Sequence, residues 1–567
     1  MSKIIECVPN FSEGTDQTKI NSIVSSIRSI QGVTVLDCDP GLDTNRTVVT
    51  FVGEPKSVIE AAFQGIKRAS ELIDMSLHKG THPRIGATDV CPIIPVSGVS
   101  IEECIEYSII LAEKVGLELN IPVYLYEKSA IFPSRENLAS IREGEYEGLE
   151  QKLKDKNWKP DFGPTKFNKS AGATVIGCRE FLIAYNINLN TTDKRLATDI
   201  AFEIREAGRS KRKKNPKSSN LLDGEIIRHK NGSPIKVPGK FKCVKAIGWY
   251  VSEYNRAQIS INFTNFKISP IYQVFDSVCD LAIERGLRVT GSELVGLIPK
   301  SALIDAGKYY LNKQGRSLGV SESDILECAV QSLGLNDVSK FNYKEKIIEF
   351  AIEDKKDSLL HLSTDDLIQS ISQNSPAPGG GSVSALAGSL GAALLSMVSL
   401  LTYDKKEYFS KRKKMSRLGE MAHKYQKRLK ELVDEDTHAF DSVMDASRLP
   451  EKSKSEIKFK KQELFKAYKI ATDTPLEIAI ISLEIIKLSI DLIKYGNPNS
   501  VTDAHVAAEV GLAGVRGGCV NVMINLSSFD KISDYDAKIE EKIECLLKES
   551  NRLHKKAFTL TKKIIKE

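Results

Sequence analysis

Apolar positions in the first third of the chain follow two different periods. Alternating or β-branched runs predict strands, and apolar residues at helical spacing predict helices. The resulting order is strand, helix, strand, strand, helix, strand, carried by "KIIECVPN", "TKINSIVSSIRSI", "VTVLDCDP", "TVVTFVG", "SVIEAAFQGIKRASELI" and "ATDVCPIIPV". This order favours a ferredoxin-like α/β sheet, and no G-x-G-x-x-G motif opens a helix as a dinucleotide-binding fold requires. Residues 1–178 are therefore predicted to form one α/β subdomain.

The same order of elements returns in residues 179–338. Its main segments are "EFLIAYNINLN", "DKRLATDIAFEIREAG", "VKAIGWYVSEY", "AQISINFTNF" and "IYQVFDSVCDLAIERGL". We therefore predict two ferredoxin-like subdomains that face each other across a ligand-binding cleft. The polar, turn-rich stretch at about 209–240 is interpreted as a solvated loop insertion, and its short basic run is not taken as a nucleic-acid site.

Helical spacing dominates the last third of the chain. After a charged linker at 339–362, residues 363–567 are predicted to form an all-α domain. The uncharged stretch 379–402 is long enough to cross a membrane. Because much of it is Gly, Ser and Ala, we interpret it as a helix buried in a soluble helical bundle. The predicted fold class is thus multidomain, α/β followed by all-α.

Composition adds limits on size, partners and compartment. A chain of 567 residues is too long for one hydrophobic core, which agrees with several domains. Its 80 basic and 74 acidic residues are nearly balanced, which suits small anionic substrates and does not indicate nucleic acid. The 10 cysteines are scattered without a C-x-x-C pair, and no secretory apolar region opens the sequence. We expect a cytoplasmic protein with reduced thiols and no membrane partner.

His82 is the first candidate for chemistry. An imidazole titrates near pH 6.5, so it can accept and return a proton within one reaction cycle. Pro83 keeps His82 out of the α region, and Arg84 follows as a possible holder of an anionic group. The residues alone leave open a structural histidine hydrogen-bonded at a strand end. His78 lies one helical turn earlier, but no third ligand is evident nearby, so no metal is expected.

Further candidates in this half lie at loop positions. Asn10 follows the first strand, Asn45 and Arg46 separate two strands, and a glycine-containing loop runs from Gly163 to Gly172. Loops between α/β elements can bring backbone N–H groups to a ligand. Each signal is weak because ordinary turns use the same residue types.

In the helical domain, a glycine turn and one carboxylate are the most specific features. The turn consists of Gly379, Gly380 and Gly381, directly before a helix of small residues. Free N–H groups at such a helix start attract anionic or carbonyl oxygens, although a plain helix-breaking connection would look similar. Asp436 falls on the apolar stripe of its helix. A carboxyl in that position needs a partner or a raised pKa, so it is either a proton donor or a structural hydrogen-bond acceptor between helices.

The last cluster lies in "YGNPNSVTDAHVAAEVGLAGVRGG". Asn497 and Asn499 lie in a turn, and Asp503 follows Ser500 at the spacing of a capping box. Arg516 lies in a helix of small and apolar residues, where a cation is costly unless paired. We therefore expect Arg516 to meet a carboxylate from the protein or from a ligand.

Several of these segments resemble known enzymes. "CVPNFSEG", "HPRIGATDVCPIIPV", "KPDFGP", "FLIAYNINLNT", "QISINFTN" and "GSELVGLIP" are similar to glutamate formimidoyltransferase, and "SPAPGGGSVSALAGSLGAALLSMVSLLT", "LVDEDTHAF" and "GNPNSVTDA" to formimidoyltetrahydrofolate cyclodeaminase. Their order resembles the bifunctional formimidoyltransferase-cyclodeaminase family over nearly the whole chain. The resemblance implies two steps of histidine degradation. The formimino group of N-formimino-L-glutamate passes to N5 of tetrahydrofolate, and the product cyclises to 5,10-methenyltetrahydrofolate with release of ammonia.

The resemblance also implies roles for individual residues. His82 matches the catalytic histidine of the transferase, and Asp436 the proposed proton donor of the cyclodeaminase. A folate-binding segment is implied at Gly163, Pro164, Thr165, Lys166, Phe167, Asn168, Lys169, Ser170, Ala171 and Gly172. Polyglutamylated tetrahydrofolate is expected as co-substrate, with no metal, in a homo-oligomer that pairs through both the transferase and the cyclodeaminase parts. Thr81 stands where an acidic residue is expected, and His505 where glycine is expected.

Two other functions stay open from the sequence. The helical domain could act as a methenyltetrahydrofolate cyclohydrolase, or the chain could be a folate-binding scaffold with decayed sites. Release of glutamate and ammonia distinguishes the bifunctional enzyme from both.

Overall fold

The computed structural model describes residues 3–41, 44–80, 83–218, 220–352, 358–527 and 534–567. The chain divides into two compact units. The first comprises Met1–Ala306 and Val330–Glu353, and the second Gly307–Ala329 and Asp354–Glu567. The first unit contains the sheets and the second is helical, which confirms the predicted multidomain α/β and all-α arrangement.

The N-terminal sheet contains the strands predicted from the apolar pattern and two that were missed. Its elements are β1 (Ile4–Cys7), β2 (Asn10–Phe11), α1 (Gln17–Arg28), β3 (Val33–Gly41), β4 (Arg46–Gly53), α2 (Pro55–Leu72), β5 (Thr88–Ser97), α3 (Ile101–Glu118), β6 (Val123–Leu125), α4 (Leu138–Arg142), α5 (Glu145–Lys152) and β7 (Thr174–Cys178). β1 and β2 pair antiparallel with β4 on one side and β5 on the other, and β3 pairs with β4. The missed strands β2 and β7 lie beside β5, where β7 pairs with β5 and β6 in parallel.

The sequence accounts for the helices of this sheet. In α1, Asp16 caps the first turn by accepting hydrogen bonds from the N–H groups of Thr18 and Lys19. The apolar positions Ile20, Ile23 and Val24 of α1 are buried in the core. Each such side chain contributes about 1.5–3 kcal/mol when it leaves water, so the helical period decides which face of α1 meets the sheet.

The second sheet repeats the order of four strands of the first, β3-β4-β1-β5. Its elements are β8 (Ile183–Leu189), α6 (Lys194–Ile204), β9 (Arg209–Ser210), β10 (Lys236–Val237), β11 (Val244–Val251), β12 (Arg256–Phe263), α7 (Ile271–Glu284), β13 (Val289–Val295), α8 (Lys300–Lys313), α9 (Glu322–Leu333), α10 (Tyr343–Lys346) and α11 (Ile348–Ile352). The strand order is β11-β12-β8-β13, antiparallel throughout. The predicted loop at 209–240 is closed at its base by the two-stranded pair β9-β10, so it is not loop alone.

The second unit is built around one long helix of small residues. This helix is α13 (Gly380–Tyr403). The other helices that follow α11 are α12 (Thr364–Ile371), α14 (Arg412–Ser447), α15 (Lys454–Tyr495), α16 (Val501–Ser527) and α17 (Asp534–Lys566). A Cβ added to Gly391 would lie 2.9 Å from a methyl carbon of Val510, and one added to Gly388 would lie 3.0 Å from Leu429. Glycine at these positions therefore lets α13 approach α14 and α16 closely.

Two helices among the described residues, Gly380–Tyr403 and Pro498–Ser527, are long and apolar enough by composition to cross a membrane. In the structure, 56% of the most apolar window of the first and 50% of that of the second are buried inside the protein. This burial agrees with the interpretation of α13 as a core helix of a bundle.

Candidate active sites

The predicted transferase site centres on a position that the structure does not place. Thr81 and His82 lie outside the described residues. Lys79 and Arg84, which flank these two residues in the sequence, are both fixed by contacts with the rest of the protein. The side-chain amide of Asn45 donates a hydrogen bond to the carbonyl of Lys79 at 2.8 Å, and Arg84 is 6% exposed. The chain is thus anchored immediately before and after the predicted catalytic histidine.

Arg84 is neutralised by the protein itself. Its guanidinium donates to the Glu147 carboxylate at 2.7 Å and to that of Glu145 at 2.9 Å, both in the first turn of α5. The hydrogen bond with Glu147 raises the pKa of Arg84 and lowers the pKa of Glu147. We therefore no longer expect Arg84 to hold an anionic ligand, because the carboxylates of Glu145 and Glu147 already accept hydrogen bonds from its guanidinium.

The Arg84 ion pairs form one wall of a cavity of about 560 Å³. The cavity is lined by His78, Lys79, Gly80, Arg84, Gly144, Glu145 and Glu147. It opens beside Gly80, the last described residue before His82. A polar cavity lined by Gly80 and Arg84, which flank the predicted proton-transfer residue in the sequence, can hold a substrate.

His78 uses both of its ring nitrogens in structural contacts. Its Nε2 lies 2.9 Å from the carbonyl oxygen of Asn45, and its Nδ1 accepts a hydrogen bond from Nε of Arg84 at 3.2 Å. Since neither nitrogen is open to substrate, His78 is a poor general base, and His82 remains the candidate in this stretch.

Asn45 links three loops of the predicted site. It has a positive φ of 47°, its Oδ1 accepts from the N–H of Gly14 at 2.9 Å, and its amide reaches Lys79. Arg46 begins β4, where burial lowers its pKa. Asn10 lies on the neighbouring strand β2 and donates to the carbonyl of Val8 at 3.1 Å. The structure therefore places Asn10 and Arg46 on adjacent strands and Asn45 in the turn before β4, where its hydrogen bonds give it a positioning role.

The predicted folate-binding segment runs beside the chain that follows His82. The N–H of Ala87 donates to the carbonyl of Ala171 at 2.8 Å, and the N–H of Ala173 donates to that of Ile85 at 3.0 Å. Gly172 has φ +69°, and a Cβ there would lie 2.2 Å from the carbonyl oxygen of Ile85. Glycine is therefore required at this crossing, which brings the 163–172 loop against the residues after the predicted catalytic position.

Asp436 lies against the first turn of α13. The Ser382 hydroxyl donates to its Oδ2 at 3.2 Å. Burial raises the pKa of Asp436, and hydrogen bonds from the side chain and backbone of Ser382 offset part of that effect. A helix N-terminus favours a carboxylate, so desolvation is the larger influence here. The carboxyl is therefore suited to carry a proton at a higher pH than an exposed aspartate.

The prediction that all three glycines precede the helix is wrong for two of them, because α13 begins at Gly380 and only Gly379 lies before it. The name glycine turn is kept for Gly379, Gly380 and Gly381, which lie beside Asp436 and beside a side chain that the sequence did not reveal. Gly379 caps α13 without a side-chain hydrogen bond, and the backbone of Ser382 already donates to Asp436, so the N–H groups of Gly380 and Gly381 are those left for another acceptor. From α16, the amide of Asn521 lies close to Gly380, and a Cβ on Gly380 would be 3.4 Å from its Nδ2. Helices α13, α14 and α16 thus assemble one polar site.

The Asn497 cluster lies away from Asp436. The backbone N–H of Asn497 donates to Thr402 at the C-terminal end of α13, and its side chain caps the following turn through the N–H of Asn499. Gly381 and Thr402 are 21 positions apart on α13, which corresponds to about 32 Å of helix. The structure therefore does not bring Asn497, Asn499 and the nearby Asp503 together with Asp436 within one chain.

The surroundings of Arg516 and His505 differ from those that the sequence predicts. Arg516 is exposed and donates to the amide oxygen of Asn551 at 2.5 Å, which is not the carboxylate expected for a buried cation. His505, where glycine was expected, lies 3.1 Å from Glu509, which also contacts His554 at 2.7 Å. The imidazole is thus accommodated between α16 and α17.

A basic cavity of about 700 Å³ lies between α14 and α15. It is lined by four cationic, two anionic and three apolar side chains and one serine, namely Lys413, Lys414, Arg417, Lys487, Glu484, Asp491, Leu418, Met421, Leu488 and Ser410. Lys487 is paired with Glu484 at 2.6 Å. The excess of positive charge over an apolar floor suits a ligand that carries several anionic groups along a carbon chain.

In the part of the chain that the structure describes, no group of three or more His, Cys, Asp or Glu side chains could hold a metal ion.

For the cyclodeaminase activity that the sequence resemblance implies, Gly381→Ala is expected to reduce ammonia release by about 100-fold, because a 1 Å misplacement of a reacting group can cost that much. A Cβ at this position would lie 2.1 Å from Oδ1 of Asp436, so the carboxyl or the helix start must move. The control is Gly379→Ala, whose Cβ would come no closer than 3.3 Å to the carbonyl of Pro376. Steady-state ammonia release from 5-formiminotetrahydrofolate measures both. Equal, small losses in the two variants would show that the close approach of Asp436 to the turn is not needed.

Comparison with known proteins covers both units. Family models match residues 4–179 (Formiminotransferase domain, N-terminal subdomain), 184–353 (Formiminotransferase domain) and 363–545 (Formiminotransferase-cyclodeaminase). A formimidoyltransferase-cyclodeaminase of Mus musculus is 41% identical over 553 residues, 97% of each chain. A glutamate formimidoyltransferase of Streptococcus pyogenes serotype M1 is 42% identical over 311 residues, 55% of this chain and 94% of the relative. A methenyltetrahydrofolate cyclohydrolase of Methylorubrum extorquens is 32% identical over 195 residues, 34% of this chain and 93% of the relative.

Proposed function

Because this chain belongs to the formimidoyltransferase-cyclodeaminase family, we propose that it is a bifunctional folate enzyme of histidine degradation. It transfers the formimino group from N-formimino-L-glutamate to N5 of tetrahydrofolate and releases L-glutamate. It then cyclises 5-formiminotetrahydrofolate to 5,10-methenyltetrahydrofolate and releases ammonia. The observation that carries this proposal is the similarity over 97% of the chain to a relative with both activities in its name.

The transfer step requires one group that moves a proton in both directions. N5 loses a proton as it attacks the amidine carbon, and the departing glutamate nitrogen gains one. We assign this role to His82, since an imidazole serves as base and acid near neutral pH. Two observations support the assignment: the nitrogens of His78 are engaged elsewhere, and the 163–172 loop lies against the residues that follow His82. That loop is the proposed binding segment for tetrahydrofolate.

The cyclisation step needs an acid for the leaving nitrogen. N10 attacks the carbon of the protonated formimino group and loses its proton, and the former imino nitrogen takes up one further proton before it leaves as ammonia. No net proton is consumed, so one carboxyl can donate a proton and later recover one. We assign this role to Asp436, whose burial raises its pKa. The open N–H groups of the glycine turn can stabilise the polar intermediate.

The topology supports the finer fold assignment as well. We propose that both sheets of the first unit are ferredoxin-like. The strand order in the two sheets, β3-β4-β1-β5 and β11-β12-β8-β13, supports this assignment. Along the chain, a helix connects the first of these four strands to the second, and another connects the third to the fourth. We also propose domains at 1–178, 179–338 and 363–567, and the three family-model matches support this division.

The basic cavity supports a polyglutamylated co-substrate. Each added glutamate contributes a carboxylate, and the cavity offers four cations against two carboxylates. Arg417 and Asp436 are 19 positions apart on α14, or about 28 Å of helix. A folate bound at Asp436 would need a tail of several residues to reach the cavity, so the geometry favours long polyglutamates.

Replacing Lys413 and Arg417 together by alanine is expected to raise KM for pentaglutamyl 5-formiminotetrahydrofolate by roughly 10-fold, through loss of two charge-assisted contacts. KM for the monoglutamyl form should stay unchanged. The charge-matched control, Lys424→Ala with Lys430→Ala, alters exposed residues of the same helix outside the cavity lining. If the two double variants shift KM equally, the cavity does not bind the tail.

One face of α13 supports a homo-oligomer. Val383, Leu390, Met397 and Leu401 lie on the same side of the helix and are 38–55% exposed. The helix carries no charged residue. Exposed apolar rows of this kind mark protein interfaces, and a second copy of the same uncharged row would cover it. We therefore propose that the cyclodeaminase part pairs through α13. Pairing of the transferase part stays a prediction.

The cysteines support a cytoplasmic location. All ten are free in the structure, although Cys7 and Cys91 have sulfur atoms only 3.4 Å apart. Free thiols at this distance are typical of a reducing compartment. We therefore propose that the enzyme works in the cytoplasm.

Product analysis tests the bifunctional assignment. Purified protein supplied with N-formimino-L-glutamate and tetrahydrofolate should release glutamate and ammonia in equal amounts and form 5,10-methenyltetrahydrofolate. The 32% identical cyclohydrolase favours one competing activity, in which the helical domain would consume the methenyl product by hydrolysis. Binding of tetrahydrofolate without either product would instead indicate a folate-binding scaffold.

A further inference from the structure

Asn521 of α16 lies beside Gly380 of the glycine turn, and Asp436 of α14 lies beside the next residue, Gly381. A Cβ on Gly380 would lie 3.4 Å from its Nδ2 and 3.8 Å from its Oδ1, whereas a Cβ on Gly381 would meet Asp436. Two neighbouring glycines are therefore in contact with two different polar side chains. An amide and a carboxyl therefore both lie beside the start of α13.

The amide of Asn521 is fixed in orientation by its own helix. Its Nδ2 donates to the carbonyl oxygen of Gly517, one turn earlier, at 2.8 Å. Among the described residues, no hydrogen bond is made to its Oδ1. Asn521 is half-buried, so this acceptor lies at a partly desolvated position beside the turn. A partly desolvated acceptor without a hydrogen-bond partner carries a free-energy cost, and a ligand that supplies a donor removes that cost.

The proposed substrate supplies such a donor and its product does not. The formimino carbon of 5-formiminotetrahydrofolate carries a nitrogen with N–H bonds, which is cationic when protonated. After cyclisation the same carbon is bonded to N5 and N10 and has no N–H group. An amide oxygen at this position would therefore distinguish substrate from product by a hydrogen bond that only the substrate can make.

We propose that Asn521 binds the substrate nitrogen that departs as ammonia and holds it toward Asp436 across the glycine turn. This inference rests on the proposed cyclodeaminase activity. Before reaction, Oδ1 accepts a hydrogen bond from an N–H of the protonated formimino group. As N10 forms its bond to the carbon, the Asp436 carboxyl gives its proton to that nitrogen, the C–N bond breaks, and ammonia leaves. The N10 proton then restores the carboxyl.

Asn521→Ala tests the proposal by comparing substrate with product. Loss of one hydrogen bond to a charged group should lower kcat/KM for 5-formiminotetrahydrofolate by about 10- to 100-fold. The inhibition constant of 5,10-methenyltetrahydrofolate should stay within about 2-fold, because the product makes no such bond. The transferase rate should not change.

Asn525→Ala is the matched control. Asn525 lies one turn further along α16 and donates to the carbonyl of Ala471 on α15 at 2.5 Å, so its loss removes a structural hydrogen bond of the same kind. We expect this variant to keep its kcat/KM for the formimino substrate. Asn521→Ser, whose side chain is too short to reach the turn, serves in the same comparison if the alanine variant does not fold.

The possible outcomes separate this inference from the proposed function. A loss confined to the formimino substrate supports the role of Asn521. Equal weakening of substrate and product, or a loss no larger than that of Asn525→Ala, overturns it. If the unmodified protein releases no ammonia from 5-formiminotetrahydrofolate, the proposed function itself fails, and the role of Asn521 with it.

Discussion

Asp436→Asn is expected to lower ammonia release from 5-formiminotetrahydrofolate by about 10²- to 10⁴-fold, the usual contribution of general acid catalysis. Asparagine keeps the size of the side chain and can still accept from Ser382, but it cannot give up a proton. The transferase rate should stay at its original value. Ammonia and glutamate release measured in parallel check both statements, and a loss of both activities would indicate a structural carboxylate.

The pH dependence of the unmodified enzyme gives a second test of Asp436. Because burial raises its pKa, the proton needed by the leaving nitrogen is lost as pH rises through that value, and the rate should fall on the alkaline side. The free energy of unfolding follows the same sign. The native state binds this proton more tightly than the unfolded state, so the stabilisation is complete below 3.8, the ordinary value for aspartate, and disappears as pH rises through the raised pKa.

It follows that Asp436→Asn should not destabilise the protein at neutral pH. At neutral pH the wild-type carboxyl ionises at a cost in folding free energy, because burial disfavours its charged form, whereas the amide never ionises. Denaturant unfolding of both proteins at pH 5 and pH 8 measures the difference. A variant clearly less stable than the original at pH 8 would show that the ionised carboxylate is required for folding.

His82→Ala is expected to reduce glutamate release by about 10²- to 10⁴-fold while ammonia release from supplied 5-formiminotetrahydrofolate stays unchanged. The reason is that one imidazole handles both proton movements of the transfer step. Initial rates of glutamate formation from N-formimino-L-glutamate and tetrahydrofolate provide the measurement.

His78→Ala is the control for His82. Its ring bridges Asn45 and Arg84, so the alanine variant should lose about 1–3 kcal/mol of stability through unpaired hydrogen-bonding groups and retain more transferase activity than His82→Ala. If His78→Ala abolished transfer and His82→Ala did not, the assignment of the two histidines would be reversed.

Local periodicity predicted most of the regular structure because burial of one face decides it. The predicted order of strands and helices in both sheets is present, and Asp436 lies at the partly buried position that its helical spacing indicated. Strand β7 was missed because "TVIGC" is a short apolar run inside a glycine-rich stretch, and its pairing with β5 joins residues more than 80 positions apart. Short parallel strands carry little signal of their own in a sequence.

The partners of the site residues were less accessible to sequence analysis. Arg84 pairs with Glu145 and Glu147, which lie 61 and 63 positions away, and no local pattern marks that pairing. Asn521 reaches the glycine turn only because α16 packs beside α13. Such contacts depend on how helices and strands meet, so residue type and spacing could suggest the reacting groups but not the groups that position them.

The central claim is that two separate proton-transfer sites act in sequence on one folate. The most direct test follows glutamate, ammonia and 5,10-methenyltetrahydrofolate together when the Asp436→Asn protein receives both starting substrates. The account predicts that glutamate appears at the original rate while 5-formiminotetrahydrofolate accumulates and ammonia does not form. Ammonia release at the rate of the unmodified enzyme would contradict it.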